Sequence, residues 1–545
     1  MEEDIRGRLS LGIANFSSLI EQDKIYIDKT RFIKKMLDHG ETYYFLSRPR
    51  RFGKTLMVST LESFFQGKKE LFKDTYIYDK WDWNEKYPVI HLNMSEETNT
   101  SPEELRKSIT DTLNIISDEK KIEIKKDLLL EKKFSQLIKL LYKHSGKKVV
   151  VLIDEYDAPI IDNINNTSLA DENRKILQNF YNVLKTSEEY IKFVFVTGIS
   201  KFTKTSIFSK FNNLTEITLD DDYSTICGIS HDELKEYYSD HIQVMADKNN
   251  YTYEETLERI DFFYDGYSWD GVNNVFNPNS TLHSLAQKEF QSFWFSTGTP
   301  HFIAEIFKKR KITEDYFKPT ILKATELDAI DPNNINETTL LFQSGYLTVE
   351  KKIFENNEFY YCLKIPNFEV KQAYKDNFLK LYIEKFENKF RHSQKIVWNE
   401  LINGDCKKFS KNLRAFIAGI PYYNRISMDN SEKWKVYSMI FTIWTEETDF
   451  YLTVEKAIED GRIDFILENN KNDQTVIIEM KYTANQSKSL DTLINEVFKQ
   501  LEHKKYWWDY TGEIKLMALA LKDIKIDEGF ITNVKCKIKD VPKDE

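Results

Sequence analysis

The chain has 545 residues, 41% of them hydrophobic and 14% aromatic, so it can fill several cores and is not a disordered polymer. Its net charge of −10, from 77 basic and 87 acidic residues, argues against a basic body that coats nucleic acid without specificity. A local basic groove around an acidic metal site stays open. Cys227, Cys362, Cys406 and Cys536 form no C-x-x-C pair, which speaks against a zinc ribbon and against a secreted disulfide framework. Reduced, mostly buried thiols are expected. The start, "MEEDIRGRLS", has no apolar h-region, and the longest apolar runs, "VVVLI" and "FVFVTGI", are strand-length. The expectation is a cytoplasmic protein with no membrane contact.

In chain order, "YYFL" (43–46) is a short apolar run, followed by "SRPRRFGKT" and then by "LMVSTLESFF", which is apolar at helical spacing. "PVIHLNM" (88–94) is a strand, and "SPEELRKSITDTL" carries a capping signature in Ser101 and Glu104. A basic amphipathic stretch occupies 118–147, for which the expectation is a helix with a solvated lysine face. Then come the β-branched strand of "KKVVVLIDEYDAP", a helix over 171–189, and the buried strand "IKFVFVTGISKF". Strands with continuous apolar runs, alternating with helices, predict a parallel sheet covered on both faces, an α/β domain over 1–225. Residues 226–390 are mostly helical, with a hairpin turned at "ENNE" that resembles a winged helix. Residues 391–430 are a helical connector, and 431–545 a small α/β domain in the order helix, strands, helix, strand. The aromatic stretches "FYDGYSWDG" and "FWFSTGTPHF" fit helical core packing better than base stacking.

Two sites carry chemistry. In the first, Gly53-Lys54-Thr55 opens a helix after a strand, but Arg48 stands where a phosphate-binding loop has its first glycine. A triphosphate needs a tight backbone (Gly53), an ammonium (Lys54), a hydroxyl for Mg²⁺ (Thr55) and an acid to hold that ion. Asp154 ends an apolar strand where a parallel sheet presents its nucleotide crevice, and Glu155 is the type of residue that activates water. Both halves together point to a nucleotide site. "GIANFSSLI", "IYIDKT", "FLSRPRRFGKT", "STLESFFQGKKELF", "LIDEYDAP" and "VTGISKF" resemble the AAA-ATPase-like family of the STAND-related P-loop ATPases. In that family Arg48 is part of the loop's own form. The resemblance implies ATP and Mg²⁺, with Ser200 or Lys201 as a sensor of the γ-phosphate. Arg50 and Arg51 either line the phosphates or form a solvated basic turn.

In the second, "GRIDFILENNKNDQTVIIEMKY" (461–482) is a hairpin. With its turn centred between Lys471 and Asn472, Asp464 and Glu479 lie opposite each other, and Lys481 shares the face of Glu479. Opposed side chains have Cβ atoms about 4.5–5.5 Å apart, close enough for two carboxylates to share a divalent ion. Two acids and a lysine suit metal-assisted phosphodiester cleavage, and the oxygen ligands favour Mg²⁺ or Mn²⁺ over zinc. Glu432 before the hairpin and Gln500 after it complete an order that resembles the PD-(D/E)XK nuclease superfamily, a restriction-endonuclease-like α/β fold. The resemblance implies Asp464 and Glu479 as metal ligands, Lys481 as the catalytic lysine, Glu432 as a supporting ligand and Gln500 facing the scissile phosphate. Glu455 is a looser candidate.

The expectation is an α/β multidomain protein. It has an N-terminal P-loop NTPase sheet, a middle helical and winged-helix-like region, and a C-terminal nuclease-like domain. Its function would be ATP-regulated, Mg²⁺-dependent cleavage of nucleic acid, DNA rather than RNA, in defence against foreign DNA or in mobile-element biology. Two rivals stand beside it: a nucleotide-controlled switch that binds nucleic acid or a partner without cutting, and a remodelling ATPase with a structural C-terminal module. Many related ATPases work as rings or ligand-triggered assemblies, which leaves a homo-oligomer open.

Overall fold

A computed structural model describes residues 7–125, 127–164, 166–201, 214–294, 320–327, 336–373, 405–418, 451–458, 461–469, 474–505, 507, 510, 512–526 and 529–541. The chain divides into two compact units, residues 1–306 with 317–373, and 307–316 with 374–545.

The first unit is built on five parallel strands: β1 (Tyr43–Ser47), β2 (Val89–Asn93), β3 (Val149–Asp154), β4 (Ile191–Gly198) and β5 (Leu214–Glu216). Their order is β2-β3-β4-β1-β5, and every neighbouring pair is parallel. Every residue of β1 and β3 is buried, so both faces of the sheet need cover. The helices α1 (Lys54–Phe65), which is buried on nearly every side, and α2 (Pro102–Glu119), α3 (Leu130–Ser145) and α4 (Thr167–Thr186), which are amphipathic, supply it. The Ser101 hydroxyl accepts from the Glu104 N–H at 3.2 Å, and Pro102 takes the first helical turn, where its missing N–H costs nothing.

The basic stretch 118–147 is not one helix, because α2 ends at Glu119 and α3 starts at Leu130. Nor is its lysine face wholly solvated: Lys133 is buried and donates to Asn114 Oδ1 at 3.1 Å. The strand order matters more for function. With β4 between β1 and β3, the loop after β1 and the acids after β3 come to the same carboxyl edge of the sheet, the edge where ligands bind in open α/β folds.

Helices α5 (His231–Asn249), α6 (Tyr253–Tyr264), α7 (Pro278–Gln287) and α8 (Glu337–Gln343) follow. Ser230 and Thr252 each close a full capping box at the start of α5 and α6. Around Leu234, Ile242, Ile260, Tyr264 and Leu285 a core forms that also takes in Leu9 and Ile25 from the N-terminal segment. The hairpin turned at Asn356 and Asn357 is present as β7 (Thr348–Glu355) and β8 (Glu358–Lys364). Both asparagines have positive φ, 52° and 61°, as tight hairpin turns require. A third strand, β6 (Thr320–Lys323), which the sequence pattern did not place, pairs with β8.

The second unit contains β9 (Tyr451–Ile458), β10 (Gly461–Asn469), β11 (Gln474–Thr483), β12 (Glu513–Ile526) and β13 (Gly529–Asp540), in the order β13-β12-β11-β10-β9. Only β11–β12 is parallel. The connection between those two strands is α10 (Leu490–Lys504), whose Leu493, Ile494, Val497 and Leu501 bury against the sheet, while α9 (Cys406–Ala418) buries Phe409, Leu413 and Ile417. Where one closing strand was expected, two long antiparallel strands occur. The outer strand, β13, carries Lys535 and Lys539, paired with Asp491 and Glu502 of α10, charges that discourage edge-to-edge pairing. The helix expected at 431–444, with Glu432, lies outside the described residues.

Candidate functional site

At the carboxyl edge of the first sheet, Gly53 has φ 93°, a left-handed conformation that a side chain would strain, and it opens α1. The Lys54 ammonium is buried, 3.2 Å from Glu155 Oε1 and 3.2 Å from the Pro49 carbonyl. Asp154 is fully buried, and its Oδ1 accepts from the Glu155 N–H at 3.0 Å. Its Oδ2 is buried and has no hydrogen-bond partner among the described residues. Burial, and then the charge of Glu155, push the Asp154 carboxyl above its ordinary pKa, while the Thr55 hydroxyl and Lys54 pull it down. An orphaned carboxylate oxygen beside a hydroxyl is a hard-oxygen donor set that fits a hydrated Mg²⁺. Glu155 has φ 49°, rare for a non-glycine residue and of the kind that gathers at functional sites.

A cavity of about 300 Å³ opens here, and Arg51, Gly53, Lys54, Thr55 and Glu155 lie on its wall. The opposite walls come from the N-terminal segment, including Ile13 and Tyr26, and from Cys227, Pro278, Asn279 and Leu282. None of these was singled out from sequence. "GIANFSSLI" and "IYIDKT" did carry the family resemblance, and their position beside the loop is the signal that was available.

Of the other candidates, Arg50, Ser200 and Lys201 lie off this wall, and Arg51, which is on it, also binds a backbone carbonyl. Arg50 is exposed, and Arg51 donates from Nη1 to the Trp294 carbonyl at 3.0 Å. The Ser200 hydroxyl and N–H both donate to Asp157 Oδ2, at 2.5 and 2.7 Å. Lys201 pairs with Glu216, and its N–H donates to Gln343 Oε1 at 2.8 Å. Asp157 went unnoticed as the third acid of "DEYDAP". It is buried, its pKa is pushed up to about 6 by burial and then by Glu155, and it holds the turn after β4 in place.

In the second unit the β10–β11 register pairs Phe465 with Ile478, which puts Asp464 opposite Glu479 as the spacing predicted. The Met480 N–H donates to Asp464 Oδ2 at 2.8 Å, and the Asp464 N–H to Glu479 Oε2 at 3.4 Å. Glu479 is only 5% exposed, and burial, with the neighbouring Asp464, pushes its pKa up to about 8. Gln500, from α10, donates its Nε2 hydrogen to Glu479 Oε1.

Lys481 shares the face and helps hold the Glu479 proton affinity down. Its Nζ lies 3.8 Å from Glu496 Oε2, one turn before Gln500 on α10. Glu496 was missed, although its i, i+4 spacing to Gln500 places both on one helix face. On the other side, Ile463 pairs with Lys456 and Phe465 with Val454, so the register sets Glu455 opposite Asp464. Two neighbouring carboxylates, one raising the proton affinity of the other, make a site that a divalent cation would relieve. Among the described residues no group of three or more His, Cys, Asp or Glu forms a metal site, so water or substrate oxygens would complete the shell, as Mg²⁺ commonly allows.

These two sites define an ATPase-type nucleotide fold joined to a nuclease-type fold. Family models agree: residues 10–208 match the predicted AAA-ATPase family, and residues 432–526 match the PD-(D/E)XK nuclease superfamily. An uncharacterized protein in the vnfD 5′ region of Azotobacter chroococcum mcd 1 is 31% identical over 463 residues, 84% of this chain and 86% of that one. The chain belongs to the predicted AAA-ATPase family, with a PD-(D/E)XK superfamily domain fused behind the ATPase domain.

Solved structures give a weaker likeness. Cdc6p from Pyrobaculum aerophilum is 12% identical, covering 65% of this chain and 91% of that one, with a TM-score of 0.25. The ORC2 protein of Aeropyrum pernix is 10% identical over 65% and 92%, also at 0.25. At such scores the architecture rests on the chain's own strand order. Among the described residues no helix is long and apolar enough to cross a membrane.

Proposed function

We propose that the protein is an ATP-controlled, divalent-metal-dependent nuclease that cuts nucleic acid, DNA rather than RNA. The observation that carries this reading is the Asp464–Glu479 pair, with Lys481 on the same face and Gln500 bound to Glu479. Mg²⁺ or Mn²⁺ at the pair would lower the pKa of a bound water and so supply a nucleophile. Asp464 and Glu479 would hold it, Lys481 would steady the charge that develops on the phosphate, and Gln500 would keep Glu479 in its ligating rotamer. Glu432 is proposed as a supporting ligand.

In the first unit Thr55 and Asp154 would hold Mg²⁺, and Lys54 would neutralise the phosphates. Glu155 would leave Lys54 and take a proton from the attacking water. Arg50 and Arg51 are proposed on the phosphates and Ser200 or Lys201 as the sensor. We assign a STAND-related ATPase to residues 1–225, the relay of its state to a helical and winged-helix-like region over 226–390 with a connector over 391–430, and cutting to 431–545. Defence against foreign DNA is the biological role proposed, in a cytoplasm and with a homo-oligomer as the working state.

The test is cleavage of circular and linear DNA and of RNA with Mg²⁺ or Mn²⁺, with and without ATP, by wild type, Asp464→Ala and Lys54→Ala. Loss of cutting in Asp464→Ala establishes the nuclease, and the Lys54→Ala lanes give the sign of ATP control. Absence of metal-dependent cutting of every substrate, with ATP binding intact, would replace this reading with a switch that binds without cutting.

A further inference from the structure

Among the described residues, one polar side-chain group on the wall of the nucleotide cavity has no hydrogen-bond partner. Of the polar side chains on its wall beyond the phosphate loop, Lys29 is spent on both Glu233 oxygens, at 2.7 Å, and on the Thr225 carbonyl. The Thr60 hydroxyl donates to the Leu56 carbonyl at 2.8 Å and also meets the Tyr26 phenol, while Tyr238 meets the Ser10 hydroxyl. Asn279 differs, because its Nδ2 is buried and has no hydrogen-bond partner. A buried donor left unpaired is uncommon and costly, and here it belongs to a residue that lines an open cavity.

The position of Asn279 is well determined. It is the second residue of α7, after Pro278, and the helix is capped by Asn277, whose Oδ1 accepts from the Ser280 N–H at 3.2 Å. Around it the cavity is apolar, with Ile13, Ile25, Ile229 and Leu282, surfaces that suit the flat faces of a purine.

We propose that Asn279 is the residue that reads the base, an inference that rests on the nucleotide reading above. A carboxamide sets a donor and an acceptor side by side. Adenine answers with the N7 acceptor and the N6 amino donor, whereas guanine presents two acceptors, O6 and N7, on that edge. With guanine one of the two amide groups stays unpaired, so Asn279 makes the site prefer ATP to GTP by about 10-fold to 100-fold. The amide pre-set on a capped helix also accounts for the empty donor: its partner belongs to the ligand.

The experiment is calorimetric titration of the full chain with Mg²⁺ and the β,γ-imido analogues of ATP and GTP, and with inorganic tripolyphosphate. Wild type, Asn279→Leu, Asn279→Ala and Lys54→Ala are compared. Both Asn279 variants are expected to lose about 10-fold or more in affinity for the ATP analogue and to bind the two analogues alike. Their tripolyphosphate binding stays at the wild-type level, whereas Lys54→Ala loses all three ligands. An unchanged ATP-over-GTP ratio in Asn279→Leu overturns the proposal while leaving the nucleotide site standing. Equal losses for tripolyphosphate also overturn it, by moving Asn279 to the phosphates. Wild type that binds neither ATP analogue nor tripolyphosphate would remove both the site and its base reader. Thermal unfolding without nucleotide controls for folding: Asn279→Leu removes an unpaired donor, so its melting temperature should not fall.

Discussion

The Arg48 guanidinium carbon lies over the indole of Trp269, 4.0 Å from the ring centroid. Its Nη1 donates to the carbonyls of Ser47 and Thr218, at 2.9 and 2.8 Å, and its Nη2 to that of Tyr223, at 3.2 Å. The residue that replaces the loop's first glycine is therefore buried and turned away from the cavity. It joins the end of β1 to the segment between α6 and α7. Neighbouring loop residues do the same: Phe52 packs edge-on against Tyr267 and Trp269, and a Cβ on Gly345 would meet Pro49 Cβ at 2.8 Å. The aromatic stretch 263–271 thus serves as core packing, although its helix ends at Tyr264, and Phe52 is part of that core.

Arg48→Gly, which restores the first glycine, should weaken the protein rather than improve its loop. Losing three charge-assisted hydrogen bonds and a cation–π contact is expected to cost about 2–4 kcal/mol. Thermal unfolding of the full chain checks this, and ATP affinity should not rise. An unchanged melting temperature would mean that the buried guanidinium contributes nothing.

Glu155 and Lys54 stand 3.2 Å apart, so the proposed base is parked on the ammonium proposed to bind the phosphates. Glu155→Gln should keep ATP binding and lower hydrolysis by about 10²-fold to 10⁴-fold. Calorimetry and phosphate release separate the two effects. Hydrolysis at the wild-type rate would take the base role from Glu155.

The raised pKa of Glu479 makes stability depend on pH with a definite sign. Between the unfolded value near the ordinary carboxyl range and about 8, the unfolded chain has lost a proton that the folded chain keeps. Stability should therefore fall as pH rises through that window, by at most about 1.4 kcal/mol per pH unit. Glu479→Gln should remove that slope, and so should saturating Mg²⁺. Scanning calorimetry of the full chain from acid to pH 9 decides, and a slope that persists in Glu479→Gln would place the proton elsewhere.

Glu496 approaches Lys481 at 3.8 Å and also binds Lys488 at 2.8 Å, which anchors the catalytic lysine candidate to α10. Glu496→Ala should slow cleavage about 10-fold while leaving cation affinity at Asp464 and Glu479 unchanged. Manganese titration beside single-turnover cleavage reads both. A matched loss of metal affinity would make Glu496 part of the metal site.

The strand register sets Glu455 beside Asp464, in line with Glu479 across β9, β10 and β11. Glu455→Gln is expected to weaken Mn²⁺ binding by about 10-fold, from the loss of one formal negative charge at the strand position opposite Asp464. Wild-type affinity would return Glu455 to the surface acids from which it was hard to tell apart in sequence.

The chemistry was legible in the sequence wherever it depends on short range. Strand alternation and one turn centre were enough to set Asp464 against Glu479, and the apolar pattern around Gly53, Lys54 and Thr55 was enough for the strand–loop–helix that carries them. Both are consequences of backbone geometry within about twenty residues. Tertiary structure alone decided the rest. Ser200, at the end of a well-predicted strand, is claimed by Asp157 because the strand order sets β4 beside β3. Arg48 finds Trp269, and the cavity wall draws Tyr26 and Asn279 together, through packing between segments far apart in the chain. Such contacts are selected by shape and burial of the whole fold, and no local period records them.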